Sequence, residues 1–348
     1  MNNIYNFTRK QLEEKLVCMN EKPFRATQIF EWLYRKNVKS FDEMTNIKKE
    51  TIDQLKKEFD INRLFIEKEQ ISKDGTRKYL FRLSDGNFVE TVLMCHEYGL
   101  SVCVSTQVGC NMGCAFCASG LNKKQRNLEV FEMVLQIQMI NDILNKENKR
   151  VSHVVVMGIG EPFDNYDNLL SFLRIINDAK GLEIGSRHIT VSTCGIVPKI
   201  IEYSDFELQV NLAISLHFAN DEKRSKYMKI NNAYNISELM DSIKYYYYKT
   251  NRRITFEYIL LKDINDSWED AKQLIKLIKG INCYVNLIPM NSTINEFTRS
   301  TEEKMNTFYK MLINNKVNVT LRKEQGHDID AACGQLRIKQ MQGAVCKD

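Results

Sequence analysis

The feature that most constrains the fold is an alternation of strand-like and helix-like segments that begins near residue 100. The strand-like apolar runs are 102–105, 154–157, 188–192, 210–216, 253–261 and 284–289, and the helix-like stretches include 129–144, 166–179, 236–250 and 267–279. Such alternation predicts an α/β fold with a parallel sheet. Six units of this kind fit an incomplete (β/α)6 barrel.

The first hundred residues carry different patterns. Helical periodicity between Arg25 and Phe59 predicts a small helical appendage. Alternating residues in 77–83 and 88–94, separated by a turn that contains Asp85 and Gly86, predict a β-hairpin. We therefore expect a helical accessory domain over 1–70, a hairpin connector over 71–98 and the barrel over 99–348.

Composition sets limits on the class of protein. The 348 residues include 49 Lys and Arg against 44 Asp and Glu, a net charge of +5 that is compatible with a polyanionic partner without demonstrating one. No stretch approaches the roughly 20 apolar residues that span a bilayer, and the start lacks the pattern of a signal peptide. We expect a cytoplasmic monomer without a membrane partner. Ten irregularly spaced cysteines favour metal-binding or catalytic thiols over a disulfide scaffold.

Polar or glycine-containing sequences fall where predicted strands end. In parallel α/β folds, functional residues collect at the carboxyl ends of the strands. The sequences at these ends are the run from Cys110 to Cys117, 158–162, 192–195, 215–217 and 289–291. Five strand ends at one rim indicate a functional site there.

Cys110, Cys114 and Cys117 form a CxxxCxxC run, a spacing suited to holding metal. Three protein ligands leave one coordination position open unless a distant residue supplies the fourth. A structural zinc site usually draws a second ligand pair from a neighbouring knuckle, and the sequence has no second close pair of Cys or His. An iron–sulfur cluster with one open iron is therefore the better fit, and an incomplete zinc site is the alternative.

The cysteine run, with Phe116 before its last cysteine, precedes a barrel pattern and a Gly-Glu strand end, and this combination resembles the radical S-adenosylmethionine (SAM) enzymes. The resemblance implies that the three cysteines hold a 4Fe-4S cluster, whose fourth iron chelates the amino and carboxylate groups of SAM. An electron from the cluster would then cleave the sulfonium to a 5'-deoxyadenosyl radical.

Two further segments, 103–110 and 328–336, resemble the RlmN/Cfr family of RNA adenine methyltransferases, and the resemblance covers nearly the whole chain. It implies that Cys333 takes a methyl group from one SAM as a thiolate. The radical from a second SAM would remove a hydrogen from that methyl, and the resulting thiomethylene radical would add to the electrophilic adenine carbon. Cys103 would then attack Cys333, forming a disulfide and releasing methylated RNA. An electron donor such as flavodoxin or ferredoxin is implied.

The resemblance assigns roles to further residues. Glu90 matches a position assigned as proton acceptor, although a hairpin Glu is more often a solvated strand residue and Cys103 could be the base. The family pattern for SAM binding maps onto Gly160 and Glu161, with the carboxylate receiving the ammonium group. It also maps onto Ser192, Ser215, Leu216, His217 and Asn291. We interpret the cysteines without a family role as structural: Cys18, Cys95, Cys194, Cys283 and Cys346.

The implied substrates are adenosine 2503 of 23S rRNA and adenosine 37 of certain tRNAs, each needed in an unstacked or flipped state. Residues 160–162 and 286–291 resemble the C2-methylating enzymes, and the alternative is C8 methylation of the antibiotic-resistance type. Ser292 departs from the family pattern. A second alternative is a non-catalytic RNA-binding protein with a structural or redox-sensing cluster. Candidate RNA contacts are Arg9, Lys10, Lys22, Arg25, Arg35, Lys123, Lys124, Arg126, Arg252, Arg253, Arg322, Lys323, Arg337 and Lys339.

Overall fold

The amino-terminal part of the chain is helical, as the periodicity predicts. The computed structural model describes residues 1–120, 123–291, 297–326, 328–329 and 336. Helices α1 (Arg9–Cys18), α2 (Phe24–Tyr34) and α3 (Lys49–Glu58) follow a short strand β1 (Asn2–Asn3), which pairs in parallel with β2 (Phe59–Asp60). Thr8 begins α1 with a capping box, in which its side chain accepts from the Gln11 N–H while the Gln11 side chain accepts from the Thr8 N–H.

Among the described residues, ten strands form one mixed sheet. Three antiparallel strands come first: β3 (Phe65–Ile71), β4 (Arg77–Arg82) and β5 (Phe88–His96). Strand β6 (Gly99–Cys103) pairs antiparallel with β5 and opens the parallel part. Strands β7 (Gln107–Val108) and β8 (Arg126–Asn127) form a separate two-stranded ribbon. The parallel part continues with β9 (His153–Val156), β10 (Ile189–Thr193), β11 (Asn211–Ser215), β12 (Ile254–Leu260), β13 (Cys283–Pro289) and β14 (Val319–Leu321).

Helices connect successive parallel strands. They are α4 (Val130–Asn145), α5 (Tyr166–Asn177), α6 (Val197–Tyr203), α7 (Asp221–Tyr227), α8 (Ile236–Thr250), α9 (Trp268–Ile278) and α10 (Glu302–Asn314). Short 3₁₀ turns occupy Ile4–Asn6, Phe41–Glu43, Ala118–Gly120, Pro162–Asn165, Ser186–His188 and Lys229–Asn232. One face of the sheet contributes Val154, Val191 and Ile214 to the main hydrophobic core, which it shares with helix residues such as Leu135 and Leu173.

The opposite face of the sheet lines a lumen, because the sheet curls on itself. Arg322, just after β14, reaches across to Met94 of β5, with 3.8 Å between Nη2 and Sδ, although six strands separate β14 from β5 in the sheet order. Register partners on neighbouring strands face the same side, and side chains alternate along each strand. Cys103, Ser215 and Glu257 therefore share this inner face.

The α/β barrel class is confirmed, and the predicted strands and helices are present with ends that shift by a few residues. Phe65–Ile71 differs from the sequence prediction: it is a strand, whereas 1–70 was expected to be helical, so three antiparallel strands rather than a two-stranded hairpin precede β6. The periodicity also gave no indication of α6, α7, α10 and β14. Within the described ranges, no helix combines the length and apolar character needed to cross a membrane.

Candidate functional site

The CxxxCxxC run lies in the loop between β7 and β8, at the carboxyl end of the parallel strands. Backbone hydrogen bonds fold the loop tightly: the Cys117 N–H donates to the Cys114 carbonyl at 3.1 Å and the Gly120 N–H to the Cys117 carbonyl at 3.0 Å. Gly113 has a φ of +62°, which is strained for other residues. The Ala115 N–H donates to the Tyr227 carbonyl at 2.9 Å, which fastens the loop to α7.

The three loop thiols are half-buried and lie near one another. Burial raises the pKa of the Cys110 thiol to about 12, and it raises the pKa of Cys114 well above its ordinary value, with Cys117 and Cys110 adding to the effect. Thiolates in this place therefore need a cation to stabilise them, and a bound iron cluster would supply one. Within the described ranges, no three or more His, Cys, Asp or Glu side chains are placed to hold a single metal ion together. The electrostatic interaction among the three thiols nevertheless shows that they are neighbours, which fits ligation of three separate irons of one cluster.

The Gly-Glu strand end packs directly against the segment that leads to the cysteine loop. A Cβ on Gly158 would lie 2.7 Å from the Ser105 nitrogen, and one on Gly160, which has a φ of +111°, would lie 2.6 Å from the Gln107 Cβ. Side chains at these two positions would therefore push the ends of β6 and β9 apart.

Glu161 is buried and already engaged by backbone donors. Its Oε1 accepts from the Phe163 N–H at 3.0 Å and its Oε2 from the Cys194 N–H at 2.8 Å. Burial raises the pKa of this carboxyl although both donors oppose the effect. Each carboxylate oxygen has a second lone pair, so a ligand ammonium group would be an additional donor to Glu161.

Ser192, Ser215 and His217 lie together at the ends of β10 and β11. The two serine hydroxyls are 3.2 Å apart. His217 has a φ of +58°, and its Nδ1 accepts from the Ile259 N–H at 3.1 Å. Burial and the nearby Arg224 lower its pKa to about 3, so the ring is neutral and carries its proton on Nε2.

The other two predicted SAM contacts differ in exposure. Leu216, between Ser215 and His217, is fully buried; its carbonyl accepts from Arg224 and its N–H donates to the Ile214 carbonyl at 2.8 Å. Asn291 follows the end of β13 and is exposed.

Arg224 connects the strand ends and was not predicted. Its side chain is fully buried on α7. Nη2 donates to the Cys194 carbonyl at 2.6 Å, Nε to the Leu216 carbonyl at 3.3 Å and Nη1 to Asn231 Oδ1 at 2.9 Å. Because the Cys194 N–H holds Glu161, this one guanidinium links the ends of β9, β10 and β11.

Cys103 and Glu90 face the lumen from neighbouring strands. Cys103 is 8% exposed and packs with Val92, Met94 and the partly buried Val155 and Met157 in a small cluster separate from the main core. Val92 is the register partner of Cys103, so the two side chains share a face of the sheet. Glu90 lies two residues before Val92 on the same strand and therefore points to the same face. Glu90 is buried rather than a solvated strand residue, and its Oε2 lies 2.9 Å from Nζ of the fully buried Lys78.

Across the lumen, Glu257 forms a second buried acidic group that the sequence did not suggest. It is 4% exposed, and its Oε2 accepts from Asn286 Nδ2 at 3.0 Å. Burial raises the pKa of this carboxyl to about 7, while Arg322 and Asn286 oppose the effect. The lumen is therefore polar on this wall and lined by apolar side chains around Cys103.

Cys333 lies outside the described residues, as do Ser292, Arg337, Lys339 and Cys346. The segment before Cys333 crosses from β14 to the turn between β3 and β4. Gln325 Nε2 donates to the Cys95 carbonyl at 3.3 Å, and the Gly326 N–H donates to Asp74 Oδ2 at 2.7 Å. Asp328 accepts from the Lys73 N–H at 3.1 Å and from the Ser72 hydroxyl.

Several of the basic residues predicted to contact RNA are engaged within the protein. Arg126 forms ion pairs with Glu132 and Asp85, at 2.7 and 2.6 Å. Further intramolecular partners of these residues are Asp178 for Arg9, Asp164 for Lys124 and the Leu208 carbonyl for Arg252. Lys10, Lys22, Lys123 and Lys323 are exposed, so they are the better candidates for phosphate contacts.

Comparison with known proteins identifies relatives over nearly the entire chain. The model of the ribosomal RNA large subunit methyltransferase N-terminal domain matches residues 2–61, and that of the radical SAM superfamily matches residues 104–278. A probable dual-specificity RNA methyltransferase RlmN of Spiroplasma citri is 55% identical, with 97% of this chain and 98% of the relative covered. A protein of the same name from Bacillus licheniformis is 54% identical, with 97% and 94% covered.

A solved structure shares the fold. The crystal structure of a radical SAM methyltransferase from Sphaerobacter thermophilus superposes with a TM-score of 0.91 at 40% identity, covering 96% of this chain and 99% of that one.

Replacing Arg224 by Met should loosen three strand ends at once, because three oxygen acceptors lose their buried donor. We expect reconstituted Arg224→Met protein to bind less iron and to bind SAM at least tenfold more weakly in equilibrium dialysis. Arg174→Met, which removes an exposed pair with Glu207, is the matched control. Unchanged iron content and SAM affinity in Arg224→Met would contradict the proposed linkage.

The raised pKa of Glu257 predicts a pH-dependent effect on stability. A carboxyl that holds its proton more tightly in the fold than in the unfolded chain destabilises the fold as the pH rises from its ordinary value of 4.5 through about 7. We therefore expect Glu257→Gln to unfold at a higher temperature than the wild type at pH 8, with the difference vanishing near pH 5. The exposed substitution Glu67→Gln should show no such slope, and parallel curves for Glu257→Gln and wild type would refute the prediction.

Proposed function

Because the chain belongs to the RlmN family of radical SAM RNA methyltransferases, we propose that it methylates C2 of adenosine in RNA, at adenosine 2503 of 23S rRNA and adenosine 37 of tRNAs. The observation that best supports this proposal is the lumen itself. Cys103 and Glu90 face it from one wall, and the cysteine loop and Glu161 lie at its rim. A base held in this lumen would be close to a thiol and to a carboxylate.

Family members use a 4Fe-4S cluster and SAM, and the residues of this chain fit both. Cys110, Cys114 and Cys117 would hold the cluster, and Glu161, Ser192, Ser215, Leu216, His217 and Asn291 would hold SAM, with Gly160 allowing a close approach of the backbone. When bound, these groups supply the radical that makes a methyl carbon reactive. We propose two SAM molecules per turnover and a flavodoxin or ferredoxin as electron donor.

Cys333 is the proposed methyl carrier, and Cys103 is the proposed thiol that releases the product. The buried setting of Cys103 suits this role, because a thiol shielded from water attacks only a sulfur that is brought into the lumen. Attack of the Cys103 thiolate on the Cys333 sulfur would form the disulfide and break the bond between that sulfur and the bridging methylene. The electron pair of the broken bond would go to the methylene carbon, which takes up a proton and stays on the base as the methyl group.

Glu90 is the proposed proton acceptor for the adenine carbon. Its Oε2 lies 2.9 Å from Lys78 Nζ, and both side chains are buried. This ion pair holds the carboxylate in one orientation. Cys103 is the alternative base, since it faces the same lumen.

The site of action would be the cytoplasm, where ribosomal and transfer RNA occur. The assay described below also tests two alternative functions. C8 methylation would give a different nucleoside, and a non-catalytic RNA-binding protein would consume no SAM.

We expect the anaerobically reconstituted protein, supplied with reductant, SAM and an rRNA fragment containing the target adenosine, to form 2-methyladenosine. Mass spectrometry of the digested nucleosides, with authentic C2 and C8 standards, provides the measurement. The same analysis of rRNA and tRNA from cells with and without the gene tests both substrates. Only 8-methyladenosine would favour the resistance-type activity, and no SAM consumption would favour the binding protein.

Cys103→Ala should trap the RNA on the protein, since the thioether at Cys333 then lacks its attacking thiol. We expect a covalent protein–RNA band in denaturing gels and a mass increase on the peptide that contains Cys333. Cys283→Ala, which removes another buried strand cysteine, should turn over normally. Release of methylated RNA by Cys103→Ala at the wild-type rate would eliminate the proposed role of Cys103.

A further inference from the structure

The turn between β3 and β4, residues 72–76, makes contacts with a segment some 250 residues further along the chain. We propose that this turn is a docking element that positions the carboxyl-terminal segment carrying Cys333, and so sets the reach of the methyl carrier. The inference rests on the proposed function of Cys333 and adds a role for residues outside the barrel rim.

The turn is ordered by its own hydrogen bonds before it meets the other segment. The Ser72 N–H donates to the Thr76 carbonyl at 2.8 Å, and the Gly75 N–H donates to the Ser72 carbonyl at 3.0 Å. The Thr76 N–H donates to Asp74 Oδ1 at 2.9 Å. This last bond fixes the Asp74 carboxylate and directs its second oxygen outward.

The second oxygen of Asp74 accepts from the Gly326 N–H at 2.7 Å. Burial alone would raise the pKa of Asp74, but the N–H donors of Gly326 and Thr76 outweigh it and hold the pKa well below its ordinary value. The carboxylate is therefore charged at neutral pH, and its bond to Gly326 is charge-assisted.

A reciprocal contact lies two residues further on. Asp328 accepts from the Lys73 N–H at 3.1 Å and from the buried Ser72 hydroxyl. One aspartate from each segment thus accepts a backbone N–H of the other. Two contacts of this kind fix both the position and the direction of the segment, which one contact could not do.

The segment is also fixed where it crosses the lumen. Gln325 Nε2 donates to the Cys95 carbonyl, and Arg322 reaches Met94. Met94 packs beside Cys103. Arg322 and Gln325 therefore lie along one wall of the proposed active site.

Chain length limits what the turn can control. Cys333 follows Asp328 by five positions in the sequence, and an extended chain covers at most about 3.6 Å per position. The carrier sulfur therefore has to work within roughly 20 Å of the docked Asp328. A loss of docking would remove this limit, and a reacting group that is held less precisely reacts more slowly.

The test uses the reconstituted full-length protein and the variant Ser72→Ala/Asp74→Ala. We expect kcat for methylation of the rRNA fragment to fall about tenfold to a hundredfold, the cost typical of a mispositioned reacting group. KM for RNA, iron content and SAM affinity should stay within twofold of wild type. Asp74→Asn, which keeps one acceptor oxygen, should show an intermediate kcat.

Hydrogen exchange gives a readout that does not depend on activity. The Gly326 amide should exchange at least tenfold faster in the double variant, while amides of β12 should be unaffected. Glu67→Gln, which removes a carboxylate that pairs with exposed Arg82 on the same hairpin, should change neither exchange nor kcat.

The possible outcomes separate the inference from the proposed function. If the wild type methylates RNA and the double variant keeps full kcat despite faster exchange at Gly326, the docking role is wrong. It is also wrong if kcat falls only in proportion to lost iron, because the turn would then stabilise the fold without positioning the carrier. If the wild type forms no methylated base, the proposed function fails first.

Discussion

The arrangement of the candidate site depends on one buried charge, the guanidinium of Arg224. Parallel strands present their carboxyl ends to one rim, but the loops beyond them have no ladder of hydrogen bonds to keep them in register. Arg224 supplies those bonds from α7, donating to the loops after β10 and β11 and, through Cys194, supporting Glu161 at the end of β9. Burying a guanidinium is costly unless its donors find acceptors, and here each of its three nitrogen atoms donates to one oxygen atom. The hydrogen bonds that offset the desolvation of Arg224 therefore also hold together the loops after β10 and β11.

The charge near the cysteine loop gives Arg224 a second effect. The thiols of Cys114 and Cys194 lie within its electrostatic reach, and burial raises the pKa of both. A fixed positive charge among them favours their anionic forms. The rim thus contains an acidic group and thiols that would be costly to ionise in an apolar core, and the structure offsets part of that cost before any ligand binds.

The sequence predicted the parallel strands well because each is a short apolar run bounded by polar residues, and the buried core dictates that pattern. The sequence analysis failed where charged residues are buried and where a strand is exposed. Phe65–Ile71 was missed because this edge strand is exposed on both faces and carries charged residues, so it shows no alternation of apolar and polar positions. Arg224 was missed because its helix, rich in Asp, Glu, Lys and Arg, has the composition of a surface helix. The burial of Glu90 could not be predicted because its partner Lys78 lies on another strand, and single-sequence patterns do not report pairing across strands.

The same reasoning explains why the barrel needs its carboxyl-terminal segment. A sheet that curls without closing has two edges, and here β3 and β14 provide them. A gap between the edge strand β14 and the β4–β5 hairpin would let water reach the lumen wall around Cys103, where apolar side chains give water no hydrogen-bond partners. Arg322, Gln325 and Gly326 bridge that gap by side-chain and backbone contacts. Because these bridging residues stand only seven to eleven positions before Cys333, the proposed methyl carrier, the contacts that cover the lumen wall lie close in sequence to that cysteine.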